Sequence, residues 1–199
     1  MRARLVTLVS GLCLVLAFGV FFGEVFSGQV YYPGDTARIY LPQRALLQDS
    51  LRSGKLPWWS SVLGAGYPLV AEGEVGALYP LNWPLYAFLP IELGLTFSIV
   101  LHYAISAIGM VLLARGLALS SGAALFSALS WALGGFAIAH LSHISILSTV
   151  AWLPWMLWLT HRLGRARGTA LANACGLAVV TALQFLTGHP QMALLNILA

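Results

Sequence analysis

The chain has 199 residues, of which 59% are hydrophobic and only 8% charged, and its formal net charge is +4. An ordinary soluble domain carries roughly 25% charged residues, so this composition points to a protein whose solvent is lipid. The basic residues form short clusters beside apolar runs and no stripe, which excludes a nucleic-acid partner.

After a short basic head, residues 5–26 form an apolar run long enough to cross a bilayer, which takes about 20 residues. The run is long for a signal peptide, and no A-x-A-like cleavage site follows, so it reads as a retained first helix. Residues 27–92 are the only long stretch too polar for lipid, and they read as an external loop. Within the loop, 42–53 reads as a short amphipathic helix, with Pro42 in its first turn and Gly54 just past its end. Leu46, Leu47 and Leu51 mark an apolar side, and Arg44, Gln48, Asp49 and Arg52 a polar one. That pattern suits a helix lying in the membrane interface, and the Trp58-Trp59 pair that follows favours headgroup level.

Further apolar spans follow at 93–114, 123–139, 144–160 and 169–187. In the third, Ser130/Gly134 and Gly135/Ala139 are small pairs that let helices approach closely. Gly188-His189-Pro190 makes a corner, and 191–199 reads as the start of a sixth span, so the chain is expected to be the N-terminal part of a longer protein. If the spans alternate, Arg2, Arg4, Arg115, Arg162, Arg165 and Arg167 share one side, which is cytoplasmic by the positive-inside rule. The N-terminus is then cytoplasmic, and the loop, His140, His143 and His189 face outward together. Cys13 and Cys175 lie inside apolar spans without metal-ligand spacing and read as small hydrophobes.

Several motifs together carry a family likeness. They are Tyr32-Pro33-Gly34-Asp35, Gly54-Lys55-Leu56-Pro57-Trp58-Trp59, Leu63-Gly64-Ala65-Gly66-Tyr67-Pro68-Leu69, Ala71-Glu72-Gly73-Glu74 and Tyr79-Pro80-Leu81-Asn82 in the loop. Leu101-His102, His140-Leu141-Ser142-His143, Ala151-Trp152-Leu153-Pro154 and Gly188-His189-Pro190-Gln191 follow. In these the chain resembles the bacterial YfhO-type membrane proteins, a family similar to the GT-C glycosyltransferases. The resemblance implies an all-α polytopic membrane helix bundle, GT-C-like, in the bacterial cytoplasmic membrane. It implies transfer of a sugar from a polyprenyl-phosphate donor to an envelope glycan or lipid acceptor on the extracytoplasmic face. It also implies an essential Asp early in the first external loop, the position of Asp35.

The residues allow the same chemistry. A carboxylate near the reacting centre can take the acceptor's hydroxyl proton, although Pro33-Gly34-Asp35-Thr36 would also form an ordinary turn. Arg38 and Arg44 could hold the donor phosphate with planar forks of donors, or bind anionic lipid headgroups. Glu72 and Glu74 could hold a cation, orient the acceptor or pair with Arg38, or simply be solvated. His140, His143 and His189 could support a divalent-cation site with a carboxylate, or cap helix ends. His102, within a span, is expected to face the bundle interior. The rival readings are a lipid flippase or transporter and a non-catalytic envelope scaffold.

Overall fold

The computed structural model describes residues 2–26, 29–30, 34–165 and 168–199. The Tyr31, Tyr32 and Pro33 start of the loop and Arg167 of the basic loop lie outside the described residues. Among the described residues twelve α-helices follow in order: α1 Arg2–Phe21, α2 Gly23–Phe26, α3 Leu41–Arg52, α4 Leu69–Glu72, α5 Asn82–Phe88, α6 Ile91–Gly116, α7 Ser121–Ala132, α8 Gly135–Ala139, α9 Ile144–Val150, α10 Leu153–Gly164, α11 Ala170–Leu186 and α12 Pro190–Leu198. A π-helical turn, Thr36–Tyr40, runs directly into α3. The described residues contain no strand, only an isolated bridge between Ser60 and Tyr67.

Among the described residues, three helical segments are long and apolar enough to cross a membrane. They are α6, the α7–α8 pair (Ser121–Ala139) and the α9–α10 pair (Ile144–Gly164). The Val9–Phe21 part of α1 and all of α11 are shorter apolar helices. Two of the expected spans are interrupted. Pro154 lacks the N–H that would bond the Val150 carbonyl, and its ring crowds that group, so the helix breaks at Ala151 and Trp152. The Gly134-Gly135 pair accounts for the break between α7 and α8.

The centre of the bundle is α6, which packs against α3, α5, α7, α9 and α10. Its contact with α7 is close because small residues face each other: Ala107 on α6 with Ala128 and Ala132 on α7. This differs from the sequence expectation. Ser130, Gly135 and Ala139 are exposed and Gly134 stands at the break. Across from α10, a Cβ on Gly109 would overlap the Trp155 indole. That indole instead fits flat enough for its N–H to donate to the Ile105 carbonyl at 2.8 Å.

Polar side chains tie the later helices together inside the apolar bundle. Thr149 and Thr187 share a 2.6 Å hydrogen bond, and Asn196 donates to Gln184 Oε1 at 2.7 Å. Where lipid supplies no hydrophobic drive between helices, such bonds add association energy, about 1 kcal/mol each.

Candidate functional site

The loop does not float over the bundle. Its segments are bonded into it at separate places. The first is the start of the π-turn. Thr36 Oγ1 donates to the Ser142 carbonyl at 3.4 Å, and the Tyr40 hydroxyl meets Ser145 Oγ at 2.7 Å. These bonds fix the turn against the α8–α9 connection. They bring Asp35 Oδ2 within 3.5 Å of His143 Nε2, with both side chains near half-exposed. At that separation the contact is an ion pair when His143 is protonated, not a short hydrogen bond. The other ring nitrogen of His143 faces Ser142 Oγ at 3.3 Å. His140 stands beside it, ring centres 5.5 Å apart, but its own Nδ1 pairs with the Phe136 carbonyl and its ring stacks on Phe136. Arg38, one helical turn after Asp35, is exposed and has no hydrogen-bond or ion-pair partner among the described residues.

The second place is α3. The expected interfacial helix forms, over Leu41–Arg52, but Arg44 and Gln48 of its polar side are buried in the protein. The physical reason is α5. Its last carbonyls have no intrahelical partner, and α3 supplies donors to them. Gln48 Nε2 donates to the Tyr86 and Leu89 carbonyls, and Arg52 to those of Ala87 and Leu89. The i, i+4 spacing of residues 44, 48 and 52 puts all three on the stripe facing α5. Arg44 is only 2% exposed; its guanidinium lies 5.4 Å over the Tyr86 ring and donates to the Glu74 carbonyl at 3.2 Å. Its Nε and Nη1 are buried without a hydrogen-bond partner.

The third place is the Glu72–Gly76 turn, which packs on the corner between α11 and α12. Gly188, at φ +102°, abuts Gly73, and a Cβ there would overlap the Gly73 carbonyl. Gly76 likewise meets the Thr187 carbonyl and the Arg44 guanidinium. Glu72 accepts from the Val75 N–H at 3.2 Å. Burial, helped by the neighbouring Glu74 charge, pushes its carboxyl above the ordinary range. His189 does not reach this group: its Nδ1 accepts from the Met192 N–H and caps α12.

The expected site residues therefore fall into two groups. Asp35, His140 and His143 gather where the π-turn meets the α8–α9 connection, while Arg38, one turn further along the chain, borders a cleft against Leu63, Gly66 and Tyr67. Arg44, Glu72 and Glu74 gather around the Glu72–Gly76 turn. Along a straight helix nine residues span about 13 Å, so Arg44 stands well apart from Asp35. Glu72 and Glu74 neighbour Arg44 rather than Arg38. Among the described residues, no group of three His, Cys, Asp or Glu side chains is arranged to hold a metal ion.

His102 faces the bundle interior and is fully buried. Its Nδ1–H donates to the Ser98 carbonyl at 2.6 Å, so Nε2 accepts from the Tyr79 hydroxyl at 2.9 Å. Tyr79 in turn accepts from Trp152 Nε1 at 2.9 Å. Every member of this chain is paired, which marks a structural lock between loop and bundle.

The comparisons add no relative. No family model, no curated protein and no solved structure matches the chain. The geometry is therefore the ground for any functional reading, with the motif resemblance beside it.

Proposed function

We propose that the protein is a membrane glycosyltransferase. It moves a sugar from a polyprenyl-phosphate donor to an envelope glycan or lipid acceptor at the extracytoplasmic face of a bacterial cytoplasmic membrane. The observation that carries this reading is the Asp35–His143 pair. A carboxylate from the loop is held beside an imidazole from a distant connection, half-exposed, with the unpaired Arg38 one turn away.

In this reading the acceptor hydroxyl attacks the anomeric carbon, and the bond from that carbon to the phosphate oxygen breaks. Asp35 takes the hydroxyl proton. The electron pair leaves with the polyprenyl phosphate, whose charge Arg38 meets with its guanidinium. His143 orients the Asp35 carboxylate. Arg44 is assigned a different task, holding the Glu72–Gly76 turn in place beneath the site. The test is transfer of label from a radioactive polyprenyl-phosphate sugar to envelope material by the purified protein. An absence of transfer with every such donor tried would leave the scaffold reading in its place.

A second reading, a lipid flippase or transporter, draws on the two interrupted spans. Their breaks flank one cavity of about 150 Å³, lined by residues that include Gly134, Gly135, Val150 and Ala151. Broken helices around a cavity are a transporter trait. Translocation of a fluorescent lipid in vesicles containing the protein separates the two.

A further inference from the structure

The charges of this bundle are sorted by end. All six side-chain carboxylates lie in the loop or where helices meet it. Glu24 is just past α1, Asp35, Asp49, Glu72 and Glu74 are in the loop, and Glu92 is in the first turn of α6. Arg115 is in the last turn of α6, about 35 Å from Glu92 along a straight helix. α10 runs beside α6 in the same direction, since Trp155 packs on Gly109 and Trp158 on Gly116. Arg162, in its last turn, and Arg165 just after it therefore reach the end that holds Arg115. Among the described residues neither Arg162 nor Arg165 has an ion-pair or side-chain hydrogen-bond partner.

A cleft of about 390 Å³ opens at this end, where α6 and α10 stop and α11 starts. Its lining includes Gly116, Trp158, Arg162, Arg165, Thr169 and Asn173. Arg162 is steadied by Trp158, with its guanidinium carbon 4.9 Å from the centre of the indole. That cation–π contact leaves its N–H donors for an anion. Asn173 is only 4% exposed, and its Nδ2 donates to Thr169 Oγ1 at 3.3 Å. Thr169 makes no side-chain cap on α11, so its own O–H remains to be given. Every polar group named here is thus a donor, and two carry full positive charge. The ends of α6 and α10 bring partial negative charge and the start of α11 partial positive charge. None of these is a full counter-charge for two guanidinium groups.

The counter-charge must come from outside the chain. A phosphodiester suits the planar forks of two arginines, and basic pockets between membrane helices take anionic headgroups. The surroundings favour a lipid over a soluble phosphate. Leu117, next to Gly116, and Leu171, between Thr169 and Asn173, are exposed and give acyl tails an apolar surface. A choline headgroup would set its ammonium against the second guanidinium. We propose that this cleft seats the phosphate of an anionic phospholipid, held by Arg162 and Arg165 with Thr169 beside them. The inference rests on the bundle's lying in a membrane and not on the transfer reaction.

The test is native mass spectrometry of the full chain released from detergent, titrated with phosphatidylglycerol or phosphatidylcholine. A guanidinium near a charged lipid contributes about fivefold in affinity, so the first phosphatidylglycerol should bind at least about fivefold tighter than phosphatidylcholine. Arg165→Gln should weaken phosphatidylglycerol binding by about that factor, and Arg162→Gln/Arg165→Gln should abolish the preference. Lys55→Gln removes the same charge from an exposed position in the loop and should leave it intact. Arg165 is exposed, so its single variant answers even if loss of Arg162 from the Trp158 ring unfolds the double one. Equal binding of the two lipids overturns the proposal. So does a loss in Lys55→Gln as large as in Arg165→Gln, which would reduce the effect to general attraction. Glycerol 3-phosphate binding as tightly as phosphatidylglycerol would overturn the lipid assignment in favour of a soluble anion.

Discussion

The Tyr79 hydroxyl lies 2.9 Å from His102 Nε2, inside the bundle, although Tyr79 belongs to the long loop and His102 to the central helix. The loop is thus anchored by a side chain that reaches α6 and also receives the Trp152 N–H. Tyr79→Phe keeps the ring but strands one buried acceptor and one buried donor. Such groups cost about 1–3 kcal/mol each, so the variant should melt at a lower temperature in detergent. Its far-ultraviolet circular dichroism should be unchanged. An unaltered melting temperature would show that water replaces the hydroxyl.

Arg44 carries a buried charge with no ion-pair partner among the described residues, and two of its nitrogens are orphaned. Removing an imperfectly paired buried charge in favour of an apolar side chain of like size is often neutral or stabilising, by about 1–4 kcal/mol. Arg44→Met should therefore hold or raise the melting temperature. Arg44→Ala, which leaves a cavity under Tyr86, should lower it. A marked loss in the methionine variant would mean that the bond to the Glu74 carbonyl outweighs the cost of burying the charge.

Much of the architecture was legible in the chain. The apolar runs place α6, α11 and the paired segments α7–α8 and α9–α10, because burial in lipid demands long apolar stretches whatever the tertiary contacts. The interruption before Pro154 also had a local signal, the proline itself. What the sequence did not reveal is that α3 is buried on two sides. Leu47 is buried and Leu46 and Leu51 pack against the core, yet Arg44 and Gln48 are buried too, because the polar stripe faces α5, a helix not anticipated from the sequence, and Gln48 bonds its carbonyls. The pairing of Asp35 with His143 was open in the same way. Both residues were visible as candidates, but their contact depends on Thr36 and Tyr40 bonding to Ser142 and Ser145, and no local pattern encodes that.

Glu72 predicts a pH dependence. Burial raises its folded pKa above the ordinary 4.5. Between 4.5 and the raised value, the unfolded chain has lost this proton while the folded protein keeps it. The folded state binds more protons there, so stability falls as pH rises through that window and levels off above it. Glu72→Gln keeps an acceptor for the Val75 N–H and carries no charge. It should remove this fall, leaving the variant more stable than the parent above the window. Melting temperatures of both proteins across the acid range measure it, and parallel curves would contradict the assignment.

Orientation is testable with single cysteines, once Cys13 and Cys175 are replaced by serine. Ser61 in the hairpin and Arg165 after α10 are both exposed. Ser61→Cys should react with an impermeant thiol reagent in whole cells, and Arg165→Cys only after lysis, as the positive-inside rule requires. The opposite pattern would put the loop in the cytoplasm, away from the proposed acceptor.

Asp35→Asn bears most directly on the proposed chemistry. The substitution preserves size and most hydrogen bonding, but the amide cannot take a proton. General-base catalysis contributes roughly 10² to 10⁴ in rate, so turnover should fall by about that factor. The melting temperature should barely move, because Asp35 lies half-exposed. Asp49→Asn, on the exposed side of α3, is the matched control and should keep full turnover. His143→Gln should lose less than Asp35→Asn, since it removes only the partner that orients the carboxylate. If the two act as one unit, the double variant should be no slower than Asp35→Asn alone. Losses that multiply instead would mean that His143 has a separate role. Turnover of Asp35→Asn within a few-fold of the parent would show that the proton goes to another group.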